Sequence, residues 1–326
     1  MRFTTSIQPR PATFKPGSAA LRAYDFVPSC ASGPCDLTAK PTFDQQFSPP
    51  GYPLPADLPA ADPFTFTYRN GHYVETETYT NSCQPPGGQP TNSPVIDERI
   101  RMDLIYRPAE AGRTAELDGT RTDTISPNPQ EAAEGCPPMT TIDHVVSVPS
   151  DSAPKISSGV KVDGQFSLSA TVADGDAATL AHSPKGTEAG LVNNNPWTFT
   201  SDCSAGASCS IGAARATSRV DSTLLTYPFE PTAGEWVSPA VHWADPCDAS
   251  GTDKIIAPKG YDATDQLKLQ PLVADHGSVE VLVGQLDLNE TPTAQGLAAS
   301  ATDCAADSQS NYAIFVNNDL ITSAAP

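Results

Sequence analysis

Apolar positions in this chain come in short alternations, not in long runs. Residues 64–68 (Phe-Thr-Phe-Thr-Tyr) and 266–270 (Gln-Leu-Lys-Leu-Gln) alternate with period two, and residues 100–106 (Ile-Arg-Met-Asp-Leu-Ile-Tyr) do so in part. Period two marks a half-buried strand, because successive side chains point to opposite faces of a sheet. Thr, Val, Ser and aromatic residues dominate the alternating segments, as strands prefer. Asn70–Gly71 between two such segments predicts a tight hairpin. No window shows a capped helical face. Residues 131–134 and 297–301 predict a turn or two of helix at most, and the Pro-rich stretches 48–55 and 83–90 predict exposed loops.

The alternations recur in the same order twice. Residues 24–37 run from Tyr24 and Phe26 through Cys30 and Cys35 to Leu37, and residues 197–211 run from Trp197 and Phe199 through Cys203 and Cys209 to Ile211. Each reads as strand, tight turn and strand. Phe3 opens the first copy and Phe166 the second. A strand and a glycine turn follow: residues 64–68 then Gly71 and Tyr73, against residues 224–227 then Gly234 and Trp236. A third cysteine comes four residues after an aromatic, Tyr79 before Cys83 and Trp243 before Cys247. Gly112 and Gly119 bracket Leu117 as Gly277 and Gly284 bracket Leu282, and a fourth cysteine closes each copy, Cys136 and Cys304. The expected organisation is a duplication: residues 1–147, a Pro- and Ser-containing linker over 148–163, and residues 164–326. Proline makes the linker semi-rigid. The fold class is all-β, two tandem antiparallel barrels or sandwiches of the same fold, each stapled by disulfides.

Composition narrows the setting. The chain has 326 residues, 33 prolines, 22 glycines and only 17% charged residues, with a net charge of −19. Such an acidic surface repels phosphate backbones, so nucleic acid is not an expected partner. No apolar run approaches the roughly 18 residues of a membrane helix, so membrane insertion of this segment is not expected. Eight cysteines without paired Cys-x2-Cys knuckles, and five histidines, none of them paired at ligand spacing, argue for disulfides and against structural zinc. Disulfides imply an oxidising compartment, extracellular or at the cell surface. The first residues lack an apolar signal core, so the expectation is that Met1 is a trimmed boundary and that a signal peptide or anchor preceded it.

Cysteines facing across an antiparallel pair have Cα atoms about 4.5–5.5 Å apart, within the disulfide range of about 4.4–6.8 Å. The hairpins therefore predict Cys30–Cys35 and Cys203–Cys209, and elimination leaves Cys83–Cys136 and Cys247–Cys304. Matching copies cut the roughly 105 connectivities of eight cysteines to about three, and this one has the shortest first loop. The long bridges contribute on the order of 4 kcal/mol each and the hairpin bridges about 2 kcal/mol by loop-closure entropy.

Candidate chemistry is sparse. His242 lies near Asp245 and Cys247, but the corresponding Cys83 has no such histidine, and an equivalent cysteine in both copies reads as half a disulfide. No Gly-x-Ser-x-Gly elbow is present, and Ser29, Ser82 and Ser201 sit in turn contexts. Residues 173–176 resemble a fragment of a calcium loop but lack its spaced ligands, and read as a β-turn. Asn289–Glu290–Thr291 is a sequon, relevant only in a glycosylating host. Trp197, Trp236 and Trp243 match Tyr24, Tyr73 and Tyr79, a pattern of core aromatics; any of them exposed in a groove would bind a glycan or peptide. No catalytic, cofactor-binding or metal-ligating residue is assigned, and no cofactor is expected.

The pattern of aromatic-x-Phe, Cys-x(4,5)-Cys, Gly-x-aromatic and two further cysteines resembles a repeat of actinobacterial secreted proteins. It is similar to extracytoplasmic regions of some bacterial Ser/Thr kinases and lipoproteins. The resemblance covers both copies and implies a surface-displayed binding or sensing module with no assigned ligand. The expected role is thus a non-enzymatic extracellular module with a protein, peptide or glycan partner. A structural, filament or adhesion component that self-assembles at the cell surface is the alternative, and a secreted hydrolase a third.

Overall fold

A computed structural model describes residues 4–8, 18–44, 62–81, 96–110, 115–127, 129, 138–149, 154–156, 159–175, 196–204, 209–216, 224–249 and 254–319. The first sheet comprises β1 (Thr4–Gln8), β2 (Ser18–Pro28), β3 (Leu37–Asp44), β4 (Phe64–Arg69), β5 (His72–Asn81), β6 (Ile96–Arg107), β7 (Glu116–Ser126) and β8 (Met139–Ser147). Each strand pairs antiparallel with its chain neighbour, and β1 pairs with β8, closing a barrel. The second sheet comprises β9 (Gly164–Gly175), β10 (Trp197–Asp202), β11 (Ser210–Ala216), β12 (Leu224–Thr232), β13 (Glu235–Val237), β14 (Val241–Asp248), β15 (Ile255–Asp275), β16 (Ser278–Pro292) and β17 (Asp307–Asn317). It is again a meander. β17 pairs with β9, and β13 bridges β12 to β15, so this sheet closes as well. Between barrel and sandwich, the structure has barrels.

The two barrels agree in register. One row of facing residues runs Tyr73, Leu104, Gly119, Val145 across β5–β8. Its counterpart runs Trp236, Leu269, Gly284, Ala313 across β13, β15, β16 and β17. The glycine in each row has the same cause. A Cβ on Gly119 would overlap the Asp103 carbonyl oxygen, and one on Gly284 the Lys268 carbonyl oxygen. The β4–β5 and β12–β13 turns also match: Asn70 and Gly71 have φ of 51° and 91°, Ala233 and Gly234 of 52° and 92°. Two successive positive φ values make the two-residue turn whose twist suits a hairpin.

Register refines the sequence alignment. Phe66 faces Leu37 as Phe229 faces Ile211, so Tyr227 corresponds to Phe64 and not to Tyr68. Tyr79 faces Glu98 as Trp243 faces Ala263, one residue further along the chain in the second barrel. The extra residue falls at the break between β13 and β14. There the Ser238 hydroxyl accepts from the Leu267 amide at 2.9 Å and the Ser238 amide donates to the Leu267 carbonyl at 2.9 Å, replacing the lost ladder.

Each barrel has an apolar core at its tight-turn end. Tyr24, Ala39, Phe66, Leu104, Leu117 and Val145 fill the first; a larger cluster around Phe166, Trp197, Phe199, Tyr227, Phe229, Trp236 and Phe315 fills the second. Burying each such side chain contributes roughly 1.5–3 kcal/mol. A third cluster joins the barrels: Val146 and Val148 pack on Leu272, Val273, Val281, Ile314 and Val316, and the Ala19 amide donates to Ser169 Oγ at 2.7 Å. The linker packs too, Val148 in this cluster and Ile156, Val160 and Val162 in the core of the second barrel. Val148, Ile156, Val160 and Val162 are buried, and Lys161 exchanges backbone hydrogen bonds with Gly277 and Val279. The one helix described in full, α1 (Ala294–Ala299), begins three residues earlier than the sequence predicts, capped by Thr293, whose hydroxyl accepts from the Gly296 amide. Residues 131–134 lie outside the described residues.

Candidate functional site

The tight turns and the long connections lie at opposite ends of each barrel. Residues 70–71, 233–234 and 276–277 and the two cysteine hairpins close one end. Residues 9–17, 45–63, 82–95 and 127–138 join the strands at the other end of the first barrel, as residues 176–196, 217–223, 249–254 and 293–306 do in the second. Towards this second end the inward side chains change from apolar to charged.

In the first barrel the row beyond Tyr73–Leu104–Gly119–Val145 is Glu75, Met102, Arg121, Asp143. The next is Glu77, Ile100, Asp123, Thr141. The Arg121 guanidinium donates to Asp143 Oδ2 at 3.0 Å and Asp123 Oδ2 at 3.3 Å. Glu75 is 3% exposed and its Oε2 has no hydrogen-bond partner. Burial, reinforced by the neighbouring Glu77 charge and opposed by Arg121, pushes its carboxyl up to about 7. Burial also raises Glu77. Glu98 and Arg22 continue the inward alternation nearer the rim.

The second barrel solves the same problem differently. Arg215 on β11 donates through Nε to the Tyr227 hydroxyl at 2.9 Å and through its terminal nitrogen to Asp265. Tyr227 donates to the same Asp265 oxygen at 2.9 Å. The guanidinium carbon stands 5.3 Å from the Trp197 ring centroid, 5.0 Å from Trp243 and 5.9 Å from Tyr227, within cation–π range. Burial, then the Asp265 charge, pushes the Tyr227 hydroxyl far above its ordinary value. Nearer the rim, Asp245 and Glu290 hydrogen-bond to each other. Burial raises both, and Glu290 the more.

The structure bonds Cys30 to Cys35, Cys203 to Cys209 and Cys247 to Cys304, with Cα separations of 6.1, 4.2 and 5.7 Å. Cys83 and Cys136 lie outside the described residues. Three disulfides fit a chain matured in an oxidising, non-cytoplasmic compartment. Cys247 and Cys304 pack with Ala257 and Tyr261 beside the charged end. His242 is exposed, 4.0 Å from Asp262, and Cys247 near it in the chain is bonded to Cys304. Trp197 and Trp236 are buried and Trp243 partly so. Asp174 ends β9 on the strand, where the sequence suggested a turn; Asp176 lies outside the described residues. Ser29 and Ser201 serve the local backbone: the Ser29 amide donates to the Asp36 carbonyl, and Ser201 Oγ donates to the Val162 carbonyl. Asn289 is exposed on β16 and accepts from Ser308 Oγ.

The buried charge clusters escaped the sequence reading. Their signal was parity: Glu75 and Glu77 share the alternation of Tyr73 and Tyr79, and Asp265 that of Leu267 and Leu269. Among the described residues no group of three or more His, Cys, Asp or Glu side chains is placed to hold a metal ion. No family model, no curated protein and no solved structure matches this chain.

Proposed function

We propose that this chain is a non-enzymatic extracellular binding or sensing module of a bacterial surface protein, engaging its ligand at the charged, long-loop ends of its barrels. One observation carries the reading: each barrel buries an arginine and surplus carboxylates at that end using non-equivalent residues. Leu286 stands at the register of Arg121, and Ile100 at that of Asp265. Buried charge is a poor way to gain stability. Its separate appearance in both barrels, beneath the longest connections, supports selection for binding there. Eight-stranded barrels either fill their interior with side chains or hold one small ligand. Long loops on a rigid scaffold are where recognition residues concentrate.

The acidic surface supports a protein, peptide or glycan partner and disfavours nucleic acid. Among the described residues no helix is long and apolar enough to cross a membrane. The outward residues of β4–β6 include Thr65, Thr67, Arg69, His72, Arg101 and Asp103, polar where a lipid-facing barrel carries an apolar band. The test is the immobilised full chain probed with arrays of peptides, glycans and cell-envelope fragments, with product analysis alongside. Saturable retention of one chemical class without turnover is expected. Conversion of a probe, or no saturable binding to any class, overturns the reading.

A further inference from the structure

The second barrel shows how this fold seats a cation. Trp197, Tyr227 and Trp243 supply ring faces and Asp265 supplies the carboxylate around the Arg215 guanidinium. Register carries the ring positions across to the first barrel, whereas Ile100 stands at the register of Asp265. Tyr24 stands where Trp197 does, Phe64 where Tyr227 does, and Tyr79 at the position of Trp243. The first two pairs keep their ring contact: Tyr24 and Phe64 have centroids 5.6 Å apart, Trp197 and Tyr227 4.9 Å. The cation is not carried across. Counting from Leu37 and Ile211, the counterpart of Arg215 is Pro41, which faces Tyr24.

The acidic wall of the first barrel is built from other positions. Glu75, Glu77, Asp123 and Asp143 gather round Arg121, which is engaged by Asp123 and Asp143. Glu75 is 3% exposed with Oε2 unpartnered, and Asp123 is 9% exposed with Oδ1 unpartnered. A carboxylate oxygen buried without a donor is costly, and this interior holds two such oxygens.

We propose that the charged half of the first barrel binds a cationic head group from solution, a guanidinium or an alkylammonium, against Glu75, Asp123 and the Tyr24–Phe64 walls. This rests on the reading of the long-loop end as the ligand end. The ligand is a small basic molecule or the basic side chain of a peptide. The carboxylates are spread over β5, β7 and β8, which suits an extended cation and not a bare metal ion. Binding needs Glu75 ionised, so a proton leaves as the cation enters and affinity rises between pH 6 and pH 8, about the value to which Glu75 is raised. The groups facing it are Glu77, Arg121, Asp123 and Asp143, with Glu98 and Arg22 nearer the rim.

The experiment is calorimetric titration of the full chain at low salt with argininamide, cadaverine and a Gly-Arg-Gly peptide, in two buffers of different ionisation enthalpy. One site per chain, proton release near pH 7, and at least tenfold weaker binding in Glu75→Gln are expected. Pro41→Arg, which supplies an internal cation at the register of Arg215, is expected to abolish binding; circular dichroism checks that each variant folds. Binding of the peptide alone identifies a basic side chain as the source and supports the proposal. No saturable binding of any probe, or binding that survives Glu75→Gln undiminished, overturns it. A neutral ligand retained on the arrays in that event leaves the module reading standing.

Discussion

Replacing Arg215 by methionine tests the account of the second barrel most directly. The guanidinium is enclosed by three rings and donates to Tyr227 and Asp265, and Asp265 is only 1% exposed. Arg215→Met keeps the packing volume but leaves the Asp265 carboxylate buried with one donor, Tyr227. Removing one partner of a buried ion pair costs roughly 3–5 kcal/mol. Arg215→Met combined with Asp265→Leu removes both charges and is expected to recover most of the loss, because an apolar pair of similar volume is often neutral or stabilising. Urea titration followed by tryptophan fluorescence reads this barrel alone, since Trp197, Trp236 and Trp243 all lie in it. A single-variant loss below about 1 kcal/mol, or a double variant as unstable as the sum of its parts, would refute the reasoning.

Other expectations follow from the backbone and the cysteines. Gly284→Ala drives a Cβ into the Lys268 carbonyl and is expected to cost roughly 2 kcal/mol or more in the second barrel, with Gly119→Ala doing the same to the first, both measured by urea unfolding. Ala233→Asn relieves a φ of 52° that alanine adopts poorly, and is expected to stabilise by about 0.5–1 kcal/mol; no gain in unfolding midpoint would count against the turn assignment. Cys247→Ser with Cys304→Ser opens a bridge spanning 57 residues and is expected to remove about 4 kcal/mol by loop-closure entropy, while mass mapping of the parent chain recovers the Cys247–Cys304 peptide pair.

Much of the architecture was legible from local chemistry. Turns declare themselves through Asn70–Gly71 and Gly234, and strands through alternation, because both are set by residues a few positions apart. The matching cysteines and aromatics gave the correspondence of Tyr73 with Trp236 and of Gly119 with Gly284 because spacing within a strand is rigid. What remained hidden depends on closure. Glu75 and Glu77 alternate with Val74 and Thr76, so period alone does not say which set faces inward. Only the successive pairings of β5 with β6, β6 with β7 and β7 with β8 align Glu75 with Arg121 and Asp143. The break at Ser238–Ala240 was hidden for a similar reason: a one-residue insertion in a strand leaves no periodic trace when Pro239 interrupts it. Composition marks residues 148–163 as a linker but does not show that Val148, Ile156, Val160 and Val162 become buried.

The contact between the barrels bears on where binding is free to vary. Its apolar residues gather at the tight-turn ends: Val146 and Val148 follow β8 as it runs away from the charged rows, and Leu272, Val273 and Val281 flank the turn at His276–Gly277. At that end each residue serves packing, since the glycines, the short turns and the apolar rows constrain one another. The other end carries the long connections, and among the described residues its apolar cluster is the small one of Cys247, Ala257, Tyr261 and Cys304. Substitutions there are limited by burial of charge more than by shape. That difference explains how two barrels in register came to hold unrelated charged residues in the same half of the interior. Arg215 settles Asp265, and Asp245 and Glu290 hydrogen-bond to each other, whereas Glu75 Oε2 has no partner. The first barrel is therefore the one whose interior gains by taking a cation from outside.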